Sequence, residues 1–149
     1  MALKIFVTLG TKDYPFDRIV KALDEKNVFM QIGNSGVPKK ASFQRFMTKQ
    51  EIYDKMDWAD VIVCHAGTGT LMEAIDLNKK MIVVPRQKKF GEHIDDHQVM
   101  FSKYIQKEFD LEIVFDVKNI WWAIKNSCVP KISPADTRLV KEVKRIVNE

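Results

Sequence analysis

The sequence predicts an α/β fold, a parallel sheet with helices on both faces. Two observations carry this expectation. Short apolar runs rich in β-formers alternate along the chain with segments whose apolar residues recur at helical spacing. Turn residues punctuate almost every change from one to the other. Such β-α-β-α order requires crossover connections, and these place successive strands parallel with their helices packed on the sheet.

Each element has its own signal. Leu3-Lys-Ile-Phe-Val-Thr8 is a buried strand stopped by Gly10. Pro15 supplies a helix first turn, followed at helical spacing by Phe16, Ile19, Val20 and Leu23. Val28-Phe-Met-Gln-Ile32 is a second strand ending at Gly33, and residues 34–40 form a loop by their turn residues and charge. Thr48 with Glu51 three residues later is a capping box opening a helix that reaches Trp58. Asp60-Val-Ile-Val-Cys64 is another buried strand, followed by His65-Ala-Gly-Thr-Gly-Thr70 and a helix through Leu77. Lys80-Met-Ile-Val-Val84 is a strand stopped by Pro85, and a polar loop over residues 86–94 leads to a helix from Asp95 to Lys107. Leu111-Glu-Ile-Val-Phe115 is the last strand, with a short helix around Trp121, Trp122 and Ile124 behind it. Leu139, Val140, Val143, Ile146 and Val147 form a helical stripe on a charged C-terminal segment.

Composition narrows the function. A chain of 149 residues suits one domain, here expected to span residues 1–149. The 30% of charged residues argues against a membrane protein or a disordered tail, and no apolar run approaches the roughly 18 residues a spanning helix needs. The N-terminal run lacks the long apolar region of a signal peptide, so a cytoplasmic location is expected. Two cysteines make no disulfide framework. A net charge of +4 fits an anionic substrate or an acidic membrane surface and gives no reason to expect nucleic acid.

Ligands of open parallel sheets bind beyond the carboxyl ends of the strands, which directs attention to the segments after Val7, Cys64 and Val84. In His65-Ala-Gly-Thr-Gly-Thr70 two glycines and two hydroxyls lie between a buried strand and a helix start. Free N–H groups and the helix dipole can hold a phosphate there, although a tight turn alone accounts for the same residues. It is not a dinucleotide fingerprint, because Met72 stands where a third glycine belongs. Glu73, one turn into the helix, is either a solvated carboxylate or, with a phosphate on the turn, an acceptor for ribose hydroxyls. That pairing favours a nucleoside diphosphate over a free anion.

Gly91-Glu-His-Ile-Asp-Asp-His-Gln98 concentrates donors and acceptors suited to sugar hydroxyls at a helix start. His93 and His97 are four apart and allow a metal site, but the ligand set is incomplete, and a helix capped by Asp95 or Asp96 explains the carboxylates. Arg86, Lys88 and Lys89 offer a basic loop beside a phosphate, or a solvated charge run. Gly10-Thr-Lys-Asp13 adds a glycine turn at the end of the first strand. A Cys64–His65 nucleophile pair is rejected, since adjacent strand residues point to opposite faces.

Taken in order, Ile5-Phe-Val-Thr-Leu-Gly-Thr11, Pro15-Phe-Asp-Arg18, His65-Ala-Gly-Thr-Gly-Thr70 with Glu73, Ile82-Val-Val-Pro-Arg86, Gly91-Glu-His93 and Asp95-Asp-His-Gln98 resemble the family 28 glycosyltransferase C-terminal domain. The resemblance covers residues 1–107. Its nearest look-alikes are small stand-alone bacterial subunits of exopolysaccharide and capsule synthesis. It is also similar to the soluble subunit of the two-part N-acetylglucosaminyltransferase acting on dolichol-linked sugars. The resemblance implies a Rossmann-like domain, the donor-binding half of a GT-B enzyme.

By that resemblance Gly67, Thr68, Gly69 and Thr70, with His65, hold the diphosphate of a UDP-sugar, and Glu73 takes the ribose. Asp96, His97 and Gln98 lie on the sugar side, with Asp96 and Gln98 reading its hydroxyls, and Gly10 and Thr11 face the cleft. It also implies an inverting hexosyl transfer without metal or cofactor, with galactose as the first guess and glucuronate and N-acetylglucosamine as alternatives. The catalytic base and a lipid-linked saccharide acceptor come from a membrane-anchored partner subunit, which recruits the chain to the inner face of the plasma membrane. A non-catalytic enhancer subunit of such a complex is the competing reading. Trp121 and Trp122 and the C-terminal stripe offer docking surfaces, or pack on the domain's own sheet.

Overall fold

The computed structural model describes residues 2–109, 111–130, 138, 139, 141, 142 and 145. Six strands, β1 (Ile5–Thr8), β2 (Val28–Gln31), β3 (Ser42–Gln44), β4 (Val61–Cys64), β5 (Lys80–Val83) and β6 (Glu112–Ile113), form one sheet in the order β3-β2-β1-β4-β5-β6. Every pairing is parallel. The chain builds outward from β1 to β3, then returns to place β4 against β1's free edge. That reversal is the topological switch point, where the two flanking crossovers leave in opposite directions and open a crevice above β1 and β4.

Side-chain alternation divides the buried residues into two cores. Ile5 and Val7 of β1, Val61 and Val63 of β4 and Ile82 of β5 face helices α1 (Asp17–Ala22) and α5 (Ile120–Asn126), which contribute Ile19, Val20, Ile120, Ala123 and Ile124. Phe6, Ile62, Cys64, Met81 and Val83 face the other way, against α2 (Lys49–Trp58), α3 (Thr68–Asp76) and α4 (His97–Phe109). Helices therefore cover both faces, as the sequence predicts. Leu139, the one member of the C-terminal stripe among the described residues, is buried in the second core. Val140, Val143, Ile146 and Val147 lie outside the described residues.

Two differences from the sequence reading matter. β3 forms within a segment with no apolar run, as a short edge strand that needs only β2's hydrogen bonds; its residues are exposed or half-buried. The last strand shrinks to Glu112–Ile113, because β5 offers it only two register partners. The tryptophan pair splits: Trp121 packs on the first core and donates its indole N–H to the Ala22 carbonyl, while Trp122 is exposed.

Candidate functional site

The crevice at the switch point holds a cavity of about 360 Å³. It is lined by the turn after β1 (Thr8, Gly10, Thr11, Lys12), the turn after β4 and the start of α3 (His65, Gly67, Thr68, Gly69, Thr70, Glu73), with Gln31 below and Met47, Lys49 and Ile52 at one side. Eight residues singled out in the sequence, from Gly10 to Glu73, thus share one cavity although they come from two strand ends far apart in the chain. Parallel pairing brings them together, with Thr8 opposite Cys64 at the exits of β1 and β4.

The α3 N-terminus is open. Its N-cap is Gly67, which has no side chain to accept a first-turn N–H. The adjacent α2 N-terminus is closed by its own residues: Glu51 N donates to Thr48 Oγ1 at 3.1 Å, and Thr48 N donates to Glu51 Oε1 at 2.9 Å. The uncapped end presents amides and the positive end of the helix dipole to the cavity. The ammonium groups of Lys12 and Lys49 are the lysine charges among the lining residues.

His65 sits between the two strand-exit turns and is 8% exposed. A Cβ on Gly67 would stand 2.1 Å from its Cε1, and one on Gly10 would stand 2.7 Å from its Nε2. Gly10 also has a φ of +77°, in the left-handed region that favours glycine. Both glycines are therefore required by the imidazole they flank, as well as by the turns. Burial, reinforced by the Arg86 charge, pushes the imidazole down to about 3. His65 is neutral at physiological pH.

Two buried glutamines fix the surroundings. Gln31 Oε1 accepts from the Thr8 hydroxyl at 2.8 Å and from Gly10 N at 3.1 Å, while its Nε2 donates to the carbonyls of Gly10 and Arg45. Gln98, the second residue of α4, accepts at Oε1 from Ala66 N at 3.3 Å and Arg86 N at 3.0 Å, and its Nε2 lies 3.3 Å from His65 Nδ1. Gln98, expected from the sequence to read sugar hydroxyls, has its amide oxygen and nitrogen both bonded inward and does not line the cavity. Asp96 and His97 are exposed at the head of α4, also outside the cavity lining. Asp96 accepts from Lys88 N, and Asp95 accepts from His97 N at 3.0 Å. His93 precedes the helix, and both histidines lean on Asp95. No group of three His, Cys, Asp or Glu that could hold a metal ion occurs among the described residues.

The basic loop splits, its arginine turned inward and its two lysines in solvent. Arg86 is 1% exposed and donates to the carbonyls of Leu9, Tyr14 and Glu92, so it ties the β5 exit to the β1 exit and is not a phosphate ligand. Burial pulls its guanidinium down to about 10, against the opposing pull of Glu92. Lys88 and Lys89 are exposed and do not line the cavity. Gln31 and Lys49 were missed by the sequence reading, which named Lys12 only as part of the Gly10–Asp13 turn. A larger cavity of about 560 Å³ beside Arg18, Phe90 and Glu92 lies on the far side of the β5 exit, and there Arg18 Nε bonds Glu92 Oε2 at 2.7 Å. Cys64, buried in the second core, has its thiol pushed up to about 12 and is chemically inert.

Residues 5–144 match the glycosyltransferase family 28 C-terminal domain. The chain belongs to that family. Among its relatives are the UDP-N-acetylglucosamine transferase subunits ALG13 of Mus musculus, 26% identical over 123 residues, and Candida albicans, 25% identical over 103 residues. The matches cover 70% and 69% of this chain but only 10% and 32% of those proteins, so it spans a tenth to a third of their length. The NMR solution structure of ALG13 is similar in fold, with a TM-score of 0.60 at 15% identity, covering 99% of this chain and 98% of that one. The crystal structure of Acinetobacter baumannii MurG gives a TM-score of 0.55 at 18% identity, over 85% of this chain and 42% of that one. The six-stranded parallel sheet is thus the α/β, Rossmann-like fold of GT-B glycosyltransferases. No helix among the described residues is long and apolar enough to cross a membrane.

Proposed function

We propose that this family 28 domain, acting as one unit over residues 1–149, binds the UDP-sugar donor of a hexosyl transfer. The observation that carries this is the uncapped α3 N-terminus opening into the switch-point cavity, with Glu73 on the same wall. The diphosphate lies on the amides of Thr68, Gly69 and Thr70, with His65, Lys12 and Lys49 around it. Glu73 accepts from the ribose hydroxyls. Gly10 and Thr11 border the reacting end, and the sugar leaves the cavity toward the head of α4, where Asp96 and His97 are exposed.

The chemistry follows from where charge develops. As the anomeric C–O bond breaks, positive charge grows on the sugar and negative charge on departing UDP. Fixed amides and ammonium groups stabilise that leaving group without reorganising, so neither metal nor cofactor is called for. Inversion requires a base to take the acceptor's proton. We assign that base, with the lipid-linked saccharide acceptor, to a membrane-anchored partner that brings this chain to the membrane. Synthesis of an exopolysaccharide or capsule is the proposed setting. The matched relatives are named for UDP-N-acetylglucosamine, which makes that donor the first to test, ahead of UDP-galactose.

Titration calorimetry of the chain with UDP, UDP-N-acetylglucosamine and UDP-galactose tests the proposal. Saturable binding of UDP with tighter binding of one UDP-sugar supports it. The absence of UDP binding by the folded chain overturns it and favours the enhancer-subunit reading.

A further inference from the structure

The one buried ring in the cavity wall has two nitrogens, and the hydrogen bonds around it decide which carries the proton. Gln98 Oε1 accepts two backbone N–H groups, from Ala66 and Arg86. A side-chain NH₂ in that place would put donors against donors, so the amide has only one orientation. Its NH₂ therefore faces His65 Nδ1, at 3.3 Å. An NH₂ can only donate, so Nδ1 must be the lone pair and Nε2 must carry the hydrogen. Nε2 lies at the gap left by the missing side chains of Gly10 and Gly67, 2.7 Å and 2.6 Å from where their Cβ atoms would be.

We propose that Gln98 is a positioning residue that locks His65 as the neutral Nε2–H tautomer, so that the ring offers the cavity a hydrogen-bond donor and never a lone pair. The groups around the ring act in the same direction. Arg86 and Lys12 are the cations that bear on it, each opposing a second proton on the imidazole, and His93, itself held down by burial, acts the same way only when protonated. A donor at Nε2 suits an anionic oxygen, whereas a lone pair there would repel one. Gln98 thus bridges the exits of β4 and β5 through two backbone amides and, through the same amide group, sets the polarity of the cavity wall. That the donor serves a diphosphate rests on the donor-binding reading above; the tautomer itself does not.

The test uses the full chain labelled with ¹⁵N at histidine. In wild type at neutral pH, two-bond ¹H–¹⁵N correlations should show the His65 ring protonated on Nε2 and bare on Nδ1. Gln98→Glu keeps an acceptor for Ala66 N and Arg86 N but replaces the NH₂ by an oxygen that can only accept. It should move the proton to Nδ1 or protonate both nitrogens, raise the His65 titration midpoint, and weaken UDP at least about tenfold. If Gln98→Glu fails to fold, Gln98→Met removes the NH₂ without charge and should give a mixture of tautomers. A wild-type ring protonated on Nδ1, or variants that leave the tautomer unchanged, overturns the proposal. A shifted tautomer with unchanged UDP affinity overturns the donor role of Nε2. A locked Nε2–H ring in a wild-type chain that binds no UDP supports the positioning role and removes the donor-binding reading.

Discussion

Two helices begin beside the same cavity, and their first turns are built in opposite ways. α2 closes its N-terminus with its own residues, Thr48 and Glu51 each satisfying the other's backbone. α3 begins at Gly67, which contributes no side-chain acceptor, and its first turn is Thr68, Gly69 and Thr70. A helix end unsatisfied by its own side chains must be satisfied by water or a ligand. The first arrangement stabilises the fold; the second leaves its amides for something outside the chain. The contrast locates a binding site more sharply than the glycines do, since glycines also serve ordinary turns.

The comparison can be broken most severely at Gly67. Gly67→Ala places a methyl 2.1 Å from His65 Cε1, displacing the ring and filling the approach to the amides. UDP affinity should fall by about a hundredfold or more, a loss of roughly 3 kcal/mol, while circular dichroism shows the sheet retained. Glu73→Ala comes next. Removing a charge-assisted acceptor should cost about 1.5–3 kcal/mol of UDP binding, with inorganic pyrophosphate unaffected; an equal loss for both ligands would take Glu73 off the ribose. On the closed helix, Thr48→Ala should lower stability by about 1 kcal/mol in urea titrations and leave UDP affinity unchanged. Lys49→Ala, on an exposed side chain of the closed helix's first turn, should weaken UDP by less than about 1 kcal/mol, an effect that shrinks as salt is raised.

His65 gives the open helix a pH signature as well. Its folded-state value, about 3, lies below the ordinary 6.5, so the unfolded chain takes up a proton that the folded chain refuses. Stability should therefore be independent of this residue above pH 6.5 and fall as pH drops from there toward 3, with a limiting slope of about 1.4 kcal/mol per pH unit. Urea denaturation of wild type and His65→Gln between pH 4 and 8 checks this. Equal slopes for the two proteins would show that the ring is not held neutral.

The fold was legible in the sequence to the extent that its signals are local. Strand runs, the Thr48–Glu51 box and the glycine turns depend on residues within a few positions of one another, and they placed β1, β2, β4, β5 and all three helices of the second face. β3 was not legible, because an edge strand is held by backbone hydrogen bonds to β2 and needs no apolar signature of its own. The cavity was half legible. Gly10, Thr11, His65, Gly67, Thr68, Gly69, Thr70 and Glu73 stood out by type and position, and they line it together. Gln31 and Gln98 did not reveal their work, since a glutamine's partners are fixed by which backbone groups it meets across the sheet.

The sequence by itself determined that β and α elements alternate, that α2 caps itself, and that a glycine-rich polar turn follows the strand ending at Cys64. Those facts arise from steric and hydrogen-bonding rules acting over one or two turns. Only the tertiary structure decided that β4 returns to lie against β1, so that Gly10 and Gly67 enclose one imidazole. It alone turned Arg86 and Gln98 inward, where they hold strand exits together. Burial decides what a polar side chain does, because out of water it must bond to whichever neighbours the fold supplies, and no spacing along the chain specifies those neighbours.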